Sequence, residues 1–310
     1  MRRLHYAGVA AALMASAFVA RAQQQTPAPA QAPAPAPVPA PGAAAPPLTA
    51  TTKVTDNVYI FRYGGHQAMF VVTPAGVIAT DPISLRRPAK PYIDAIQAVT
   101  KAPIKYVVYS HSHFDHTAGG QPFKDLGATF VAQRNAKERI QALKPADVVV
   151  PDQAVDDKRV ITLGGTTLEL LYMGRNHSNS TLVMRLPKEK IIFTVDWIPL
   201  EGVQFRGMAD TYVPDIEDGL KKVIAMDWVT LIPGHPGPGG KQTGSKDNAR
   251  DELAYLQDLS AAVKQEVAQG KSYDEAIKDI SLPKYSSWPN YKNFLPMNIE
   301  RYYDYWNRRI

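Results

Sequence analysis

Four metal-ligating side chains fall within six residues in the string His-Ser-His-Phe-Asp-His, namely His111, His113, Asp115 and His116. His111 and His113 alternate, so on an extended segment both imidazoles face one side and can meet one ion. Asp115 and His116 follow within reach of the same space. A lone histidine at such a position reads as a polar surface turn, but four ligand-type residues together favour a metal site.

The other histidines add weight. The chain has seven; His5 lies in the first segment, and five of the remaining six are His111, His113, His116, His177 and His235. Each of these five follows a strand-like run. His177 sits in Met-Gly-Arg-Asn-His-Ser after the apolar run ending near Tyr172, and His235 in Ile-Pro-Gly-His-Pro after another. Asp196 ends the run Ile191 to Val195 in the same manner. Loops at strand ends are where a scaffold brings reactive groups together, because the strands fix the loop bases. Cysteine is absent, so any metal must rest on histidine and carboxylate, and no thiol nucleophile is available.

Short β-branched or aromatic runs predict strands at 58–61, 68–72, 77–80, 104–109, 128–132, 160–162, 168–172, 182–186, 191–195 and 228–232. Helices are predicted at 89–100, where Ile93, Ile96 and Val99 form a stripe, and at 136–142. Later, Asp215 can cap a helix running to about Met226. Residues 245–269 place Leu253, Leu256, Leu259, Val263 and Val267 on one face before Gly270, and Ser272 with Glu275 forms a capping box. The aromatic tail around Tyr302 and Trp306 predicts a last packed helix. Two groups of strands with interspersed helices point to two sheets covered by helices.

The N-terminal region has a different character. Arg2 and Arg3 precede an apolar run from Tyr6 to Ala20 and an Ala-Arg-Ala cleavage signal, which predicts a signal peptide over 1–22 and an exported, periplasmic or secreted, protein. The apolar run is about 15 residues against the roughly 20 a spanning helix needs, so no stable membrane insertion is expected after cleavage. Residues 23–50 are expected to be an Ala/Pro-rich disordered linker and 51–310 the folded domain; the whole 310-residue chain, 45% hydrophobic and 21% charged, is ordinary for a globular protein. The net charge of +6 includes Arg2, Arg3 and Arg21, so the mature chain carries 32 basic against 29 acidic residues, or +3. That small excess gives no reason to expect a nucleic-acid partner. A small-molecule substrate is expected instead, and the sequence leaves the oligomeric state open.

H-x-H-x-D-H, a downstream G-x-x-H, an aspartate after an apolar strand and a P-G-H, in that order, resemble the metallo-β-lactamase superfamily over roughly Val54 to Gly239. The resemblance implies an αββα sandwich of two mixed β-sheets flanked by helices. It also implies two Zn2+ ions, although His/Asp ligands equally accept Fe or Mn. His111, His113 and His177 would hold one ion, Asp115, His116 and His235 the other, with Asp196 bridging. The implied chemistry is attack by a bridging hydroxide on a carbonyl, with Asp115 or a metal-bound water handling the proton.

Two departures stand out. Valine replaces the usual glycine before Asp196, which makes that ligand the least secure, and proline replaces glycine after His235. An aspartate at position 196, rather than cysteine or serine, resembles the lactonase, thioesterase and general hydrolase branches, so the expected substrate is an ester, lactone, thioester or β-lactam. A two-metal phosphodiesterase or nuclease and a noncatalytic periplasmic metal-binding protein are the alternatives. Among nearby residues, His66 reads as an exposed hairpin-turn residue ahead of one flanking the site, Asn176 and Asn179 as turn formers ahead of oxyanion donors, and Trp197, Phe205, Arg206 and Tyr212 as core or covering residues ahead of a pocket lining. Asp81 is read as orienting the metal loop or capping the next segment.

Overall fold

The computed structural model describes residues 47–308. The expected signal peptide over 1–22 and most of the 23–50 linker lie outside the described residues. Regular structure opens at Thr49, slightly ahead of residue 51.

Strands β1 (Thr49–Lys53), β2 (Val58–Tyr63), β3 (His66–Thr73) and β4 (Gly76–Thr80) form an antiparallel meander. Strands β5 (Ile104–Val108), β6 (Thr129–Gln133) and β7 (Gln153–Val155) join β4 in parallel to complete a seven-stranded sheet. The second sheet has five strands, β8 (Lys158–Leu163), β9 (Thr166–Tyr172), β10 (Leu182–Leu186), β11 (Ile191–Thr194) and β12 (Thr230–Pro233). Its pairs are antiparallel except β11 with β12, so both sheets are mixed.

Four helices, α1 (Lys90–Val99), α2 (Phe114–Thr117), α3 (Gln121–Asp125) and α4 (Arg134–Leu143), belong to the first half. The second half adds α5 (Val213–Ala225), α6 (Lys246–Ala268), α7 (Tyr273–Asp279) and α8 (Tyr291–Tyr303). The capping boxes at Ser245 and Ser272 are formed, and Gly270, with φ of 74°, stops α6 in the left-handed conformation glycine tolerates. At α5 the N-cap is Tyr212, and Asp215 sits in the first turn, where a carboxylate favours the helix dipole.

The layers follow from alternation along the strands, because successive side chains of a strand face opposite sides of its sheet. Ile60, Met69, Val71, Ile78 and Val108 of the first sheet meet Leu168, Leu170, Met184, Phe193 and Ile232 of the second in one buried cluster between the sheets. Their sequence neighbours face outward. Phe61, Phe70, Ala79 and Val107 pack under Tyr92 and Ile96 of α1, Phe123 of α3 and Ile140 of α4. On the far side, Val183, Ile192 and Leu231 pack under Leu220 of α5, Leu256 of α6 and Ile299 of α8. This is an αββα sandwich.

The site sits at one end of this frame. Asp81 follows β4, His111 follows β5, His177 follows β9, Asp196 follows β11 and His235 follows β12. These are all carboxyl ends of strands, where an α/β sandwich leaves a crevice.

Candidate metal centre

The seven residues singled out in the sequence converge. His111, His113, His177 and Asp196 each offer a ligand atom, all within 4.8 Å of one another. Asp115, His116 and His235 form a second such group, with a fourth member, His66.

Asp196 joins the two. Its Oδ2 lies 3.7 Å from His111 Nε2, 3.7 Å from His177 Nε2 and 3.3 Å from His116 Nε2, and its Oδ1 lies 3.0 Å from His235 Nε2. His113 Nδ1 and His177 Nε2 are 3.1 Å apart. Ligand atoms bound to one zinc at 2.0–2.2 Å with tetrahedral angles would stand about 3.3 to 3.6 Å apart, close to these spacings.

Outer contacts decide which nitrogen of each imidazole faces the centre. His113 Nε2 donates to Asp210 Oδ2 at 2.8 Å, leaving Nδ1 for the cluster. His235 Nδ1 donates to the Gly65 carbonyl at 2.7 Å, leaving Nε2. Ser110 Oγ lies 2.9 Å from His111 Nδ1, and His111 Nε2 is buried without a hydrogen-bond partner. Asp81 Oδ2 lies 3.2 Å from His116 Nδ1 while its Oδ1 accepts from the Ser110 amide at 2.7 Å. Asp81 therefore ties the end of β4 to both Ser110 and, within the His-Ser-His-Phe-Asp-His segment, His116.

The electrostatics suit a cation. Burial pushes His111 well below the ordinary imidazole range and His177 down to about 4, which keeps their lone pairs free at neutral pH. Burial opposes ionisation of Asp196, but His116 and His235 outweigh it and hold its carboxyl well below the usual range. Conversely, burial disfavours charge on His116 and His235, yet Asp196 pulls both upward. Positive charge is thus favoured around Asp196, and a divalent cation meets that demand. The donor set, five imidazoles and two carboxylates, fits zinc and equally iron or manganese.

The substitution of valine before Asp196 is absorbed without strain at Val195 itself. Asp196 takes the left-handed conformation with φ of 60°, which aspartate tolerates better than most residues. Room for Val195 comes from Gly234, where an added Cβ would lie 2.5 Å from Val195 Cγ1 and 3.0 Å from Asp196 Oδ1. The glycine of P-G-H is therefore a packing partner of the Asp196 carboxylate.

One residue expected in an exposed turn and one with no local signal belong to the site. His66 is the first residue of β3, and its Nε2 lies 3.2 Å from Asp115 Oδ2, so it belongs to the cluster and not to an exposed turn. Asp210 lies in a segment with no periodicity, and only the fold brings it to His113, 97 residues away. Asn176 behaves as a turn former, its Oδ1 accepting from the His177 amide at 2.7 Å, and the Asn179 carbonyl accepts from Asn135 Nδ2.

Above the cluster opens a cavity of about 770 Å³. Ile198, Leu200, Val203, Phe205, Met208 and Phe294 give it an apolar wall, and Arg206 is the one Lys or Arg among the described residues lining it. Phe205, 62% exposed, packs edge-on against Phe294 at 5.3 Å between ring centroids. Phe205 thus borders the cavity instead of covering a sheet edge, whereas Trp197 is core.

Comparison with known proteins agrees with this geometry. Residues 64–235 match the family model of the metallo-beta-lactamase superfamily. The chain is 25% identical over 197 residues to the 2,4-dinitroanisole O-demethylase subunit alpha of Nocardioides sp. (strain JS1661), covering 61% of this chain and 58% of that protein. It is 24% identical over 150 residues to the metallo-beta-lactamase type 2 of Elizabethkingia meningoseptica, covering 45% of this chain and again 58% of the relative. The matches therefore span less than two thirds of either relative.

Among solved structures, a metallo-beta-lactamase from Pontibacter korlensis superposes with a TM-score of 0.58 at 21% identity, covering 67% of this chain and 99% of that one. The stereoselective inverting sec-alkylsulfatase of Pseudomonas sp. superposes with a TM-score of 0.68 at 17% identity, covering 83% of this chain and 50% of that one. The family match runs from the β2–β3 turn through the His-Ser-His-Phe-Asp-His string to His235 and so contains every residue of the converging cluster; the chain belongs to the metallo-β-lactamase superfamily.

Proposed function

We propose that the protein is a binuclear, zinc-dependent hydrolase of small, largely apolar carbonyl compounds, namely esters, lactones, thioesters or β-lactams. The superfamily consists of metal-dependent hydrolases. The observation that carries the finer reading is the pair of ligand groups joined by Asp196, which belongs to one and contacts His116 and His235 of the other, at the base of a largely apolar cavity.

Divalent ions bound there would supply Lewis acidity and lower the pKa of water toward neutrality, so that no side-chain nucleophile is needed. Asp196 supplies the shared negative charge between the two groups. Asp115 lines the cavity and is held ionised: burial opposes its charge, but His66 and His116 beside it outweigh that and lower its pKa. An ionised carboxylate at that place can take a proton from the attacking water and return it to the leaving group. The apolar wall of Ile198, Leu200, Val203 and Phe205 binds the body of the substrate and excludes water.

A polyanionic substrate fits less well. Cleavage of phosphodiesters or nucleic acid calls for several cations along the groove, and Arg206 is alone in the described lining. The basic start, the apolar run to Ala20 and the Ala-Arg-Ala signal support an exported, periplasmic site of action.

The test is a panel of a hydrophobic ester, a lactone, a thioester, a β-lactam and a phosphodiester, each with and without chelator. An aryl methyl ether joins it because one relative is an O-demethylase subunit. Chelator-sensitive turnover of a carbonyl substrate is expected, and His116→Ala should lower it about a thousandfold or more, the rate equivalent of several kcal/mol of metal assistance. Turnover indifferent to both chelator and His116→Ala, in a variant with unchanged circular dichroism, refutes the proposal.

A further inference from the structure

His66 stands 45 residues before the metal-binding string, outside the motif that brings Asp115, His116 and His235 together. The structure nevertheless seats it among them. Its ring centroid is 4.5 Å from that of His235 and 5.5 Å from that of His116, and its Nε2 is 3.2 Å from Asp115 Oδ2. The side chain is 13% exposed, and its Nδ1 is buried with no hydrogen-bond partner. Nε2 is the nitrogen that faces Asp115, and His66, Asp115, His116 and His235 each offer a ligand atom, all within 4.8 Å of one another.

The position is fixed from both sides. The preceding Gly65 carbonyl accepts from His235 Nδ1 at 2.7 Å. The following Gln67 donates its amide to the Gly234 carbonyl at 2.7 Å and its Nε2 to the Pro233 carbonyl at 3.0 Å. The β2–β3 turn and the Pro-Gly-His loop are therefore stitched together on either side of His66. The 3.2 Å gap to Asp115 is close to the roughly 3.3 to 3.6 Å separating two atoms bound to one zinc.

From this geometry we infer that His66 is a direct ligand of the ion held by Asp115, His116 and His235, giving that position three imidazoles and a carboxylate in addition to the shared Asp196. The inference rests on the metal centre proposed above. The ligand is a divalent cation that accepts nitrogen and oxygen donors, and the probe is zinc itself.

The experiment measures zinc content after dialysis and zinc affinity by competition with a chromophoric chelator, on the full chain, for the wild type, His66→Ala and His66→Gln. Circular dichroism checks that each variant is folded. The wild type is expected to retain two equivalents, and both variants to bind the second more than about a hundredfold more weakly or to lose it, beyond the effect of removing a group that only backs a ligand. Cobalt substitution gives a readout independent of turnover, since loss of an imidazole changes the visible absorption of one of the two ions. Affinity and cobalt spectrum unchanged in His66→Ala overturn the inference and leave the metal centre standing. Rescue by His66→Gln, which keeps a donor toward Asp115, also overturns it by reducing His66 to a hydrogen-bonding neighbour. A wild type that binds no zinc removes the metal centre and this ligand together.

Discussion

On the floor of the cavity, His177, Asp196 and His235 stand at the ends of strands whose backbone pairing fixes where each loop begins. On its wall, residues 197–212 have no regular pairing and hang instead from side chains of the C-terminal helices. Asn298 of α8 donates to the carbonyls of Gln204, at 3.2 Å, and Arg206, at 2.6 Å, and accepts from Tyr255 of α6 at 2.7 Å. Gln204 in turn donates to the Trp197 carbonyl and to Glu252 of α6. Within the wall, Glu201, Arg206 and Met208 all adopt positive φ, which this side-chain network must hold in place. Placement by sheet pairing suits the chemistry, which tolerates little displacement. A loop held by a few polar anchors can change shape and residues without disturbing the floor.

The sharpest way to separate the two regions is Asn298→Ala. It orphans the buried Gln204 carbonyl, the part-buried Arg206 carbonyl and the buried Tyr255 hydroxyl, and should destabilise the protein by about 3 kcal/mol in urea unfolding. Zinc content of the folded fraction should be unchanged. A parallel loss of zinc would mean that floor and wall are one cooperative unit.

Asp210 tests the comparison from the opposite side, because it lies on the wall and holds a floor residue, His113. Asp210→Ala should weaken zinc binding about tenfold to a hundredfold, the usual effect of removing the carboxylate behind a ligand histidine. The chelator competition that tests His66 measures it. An unchanged affinity would show that the strand-end loops alone position His113.

A further test is a pH dependence confined to the wall's support. Burial pushes Glu252 up to about 8, with only the Gln204 side chain to favour its charge. The folded state thus holds this proton through a range where the unfolded chain, with an ordinary glutamate, has released it. Stability from this group is complete below about pH 4.5 and declines by at most about 1.4 kcal/mol per pH unit until pH passes the folded value near 8. Glu252→Gln should flatten that slope in denaturation curves measured from pH 5 to 8. A slope identical to the wild type would mean that Glu252 is ionised in the fold.

Much of the fold was legible because its strands alternate cleanly. The runs around Val58, Leu168 and Ile191 were placed within a few residues, and the stripe and caps of α6 fixed that helix. β1, with the sequence Thr-Ala-Thr-Thr-Lys, and the three-residue β7 carry little apolar signal and were not anticipated. Within the site, the spacing of His111, His113, Asp115 and His116 announced a metal by itself. The sequence also marked Gly234, but only as part of a motif; its closeness to Val195 explains why a bulky residue can precede Asp196.

The sequence by itself determined the ligand types, their order and the strand ends that carry them, because those depend on local periodicity and on the chemistry of each side chain. Tertiary structure alone decided that His66 faces Asp115, that Asp210 backs His113 and that Phe205 meets Phe294 over the cavity. The reason is physical: these pairs are separated by 49 to 97 residues, and no local pattern records which strand turn or helix end will meet a distant loop until the two sheets pack.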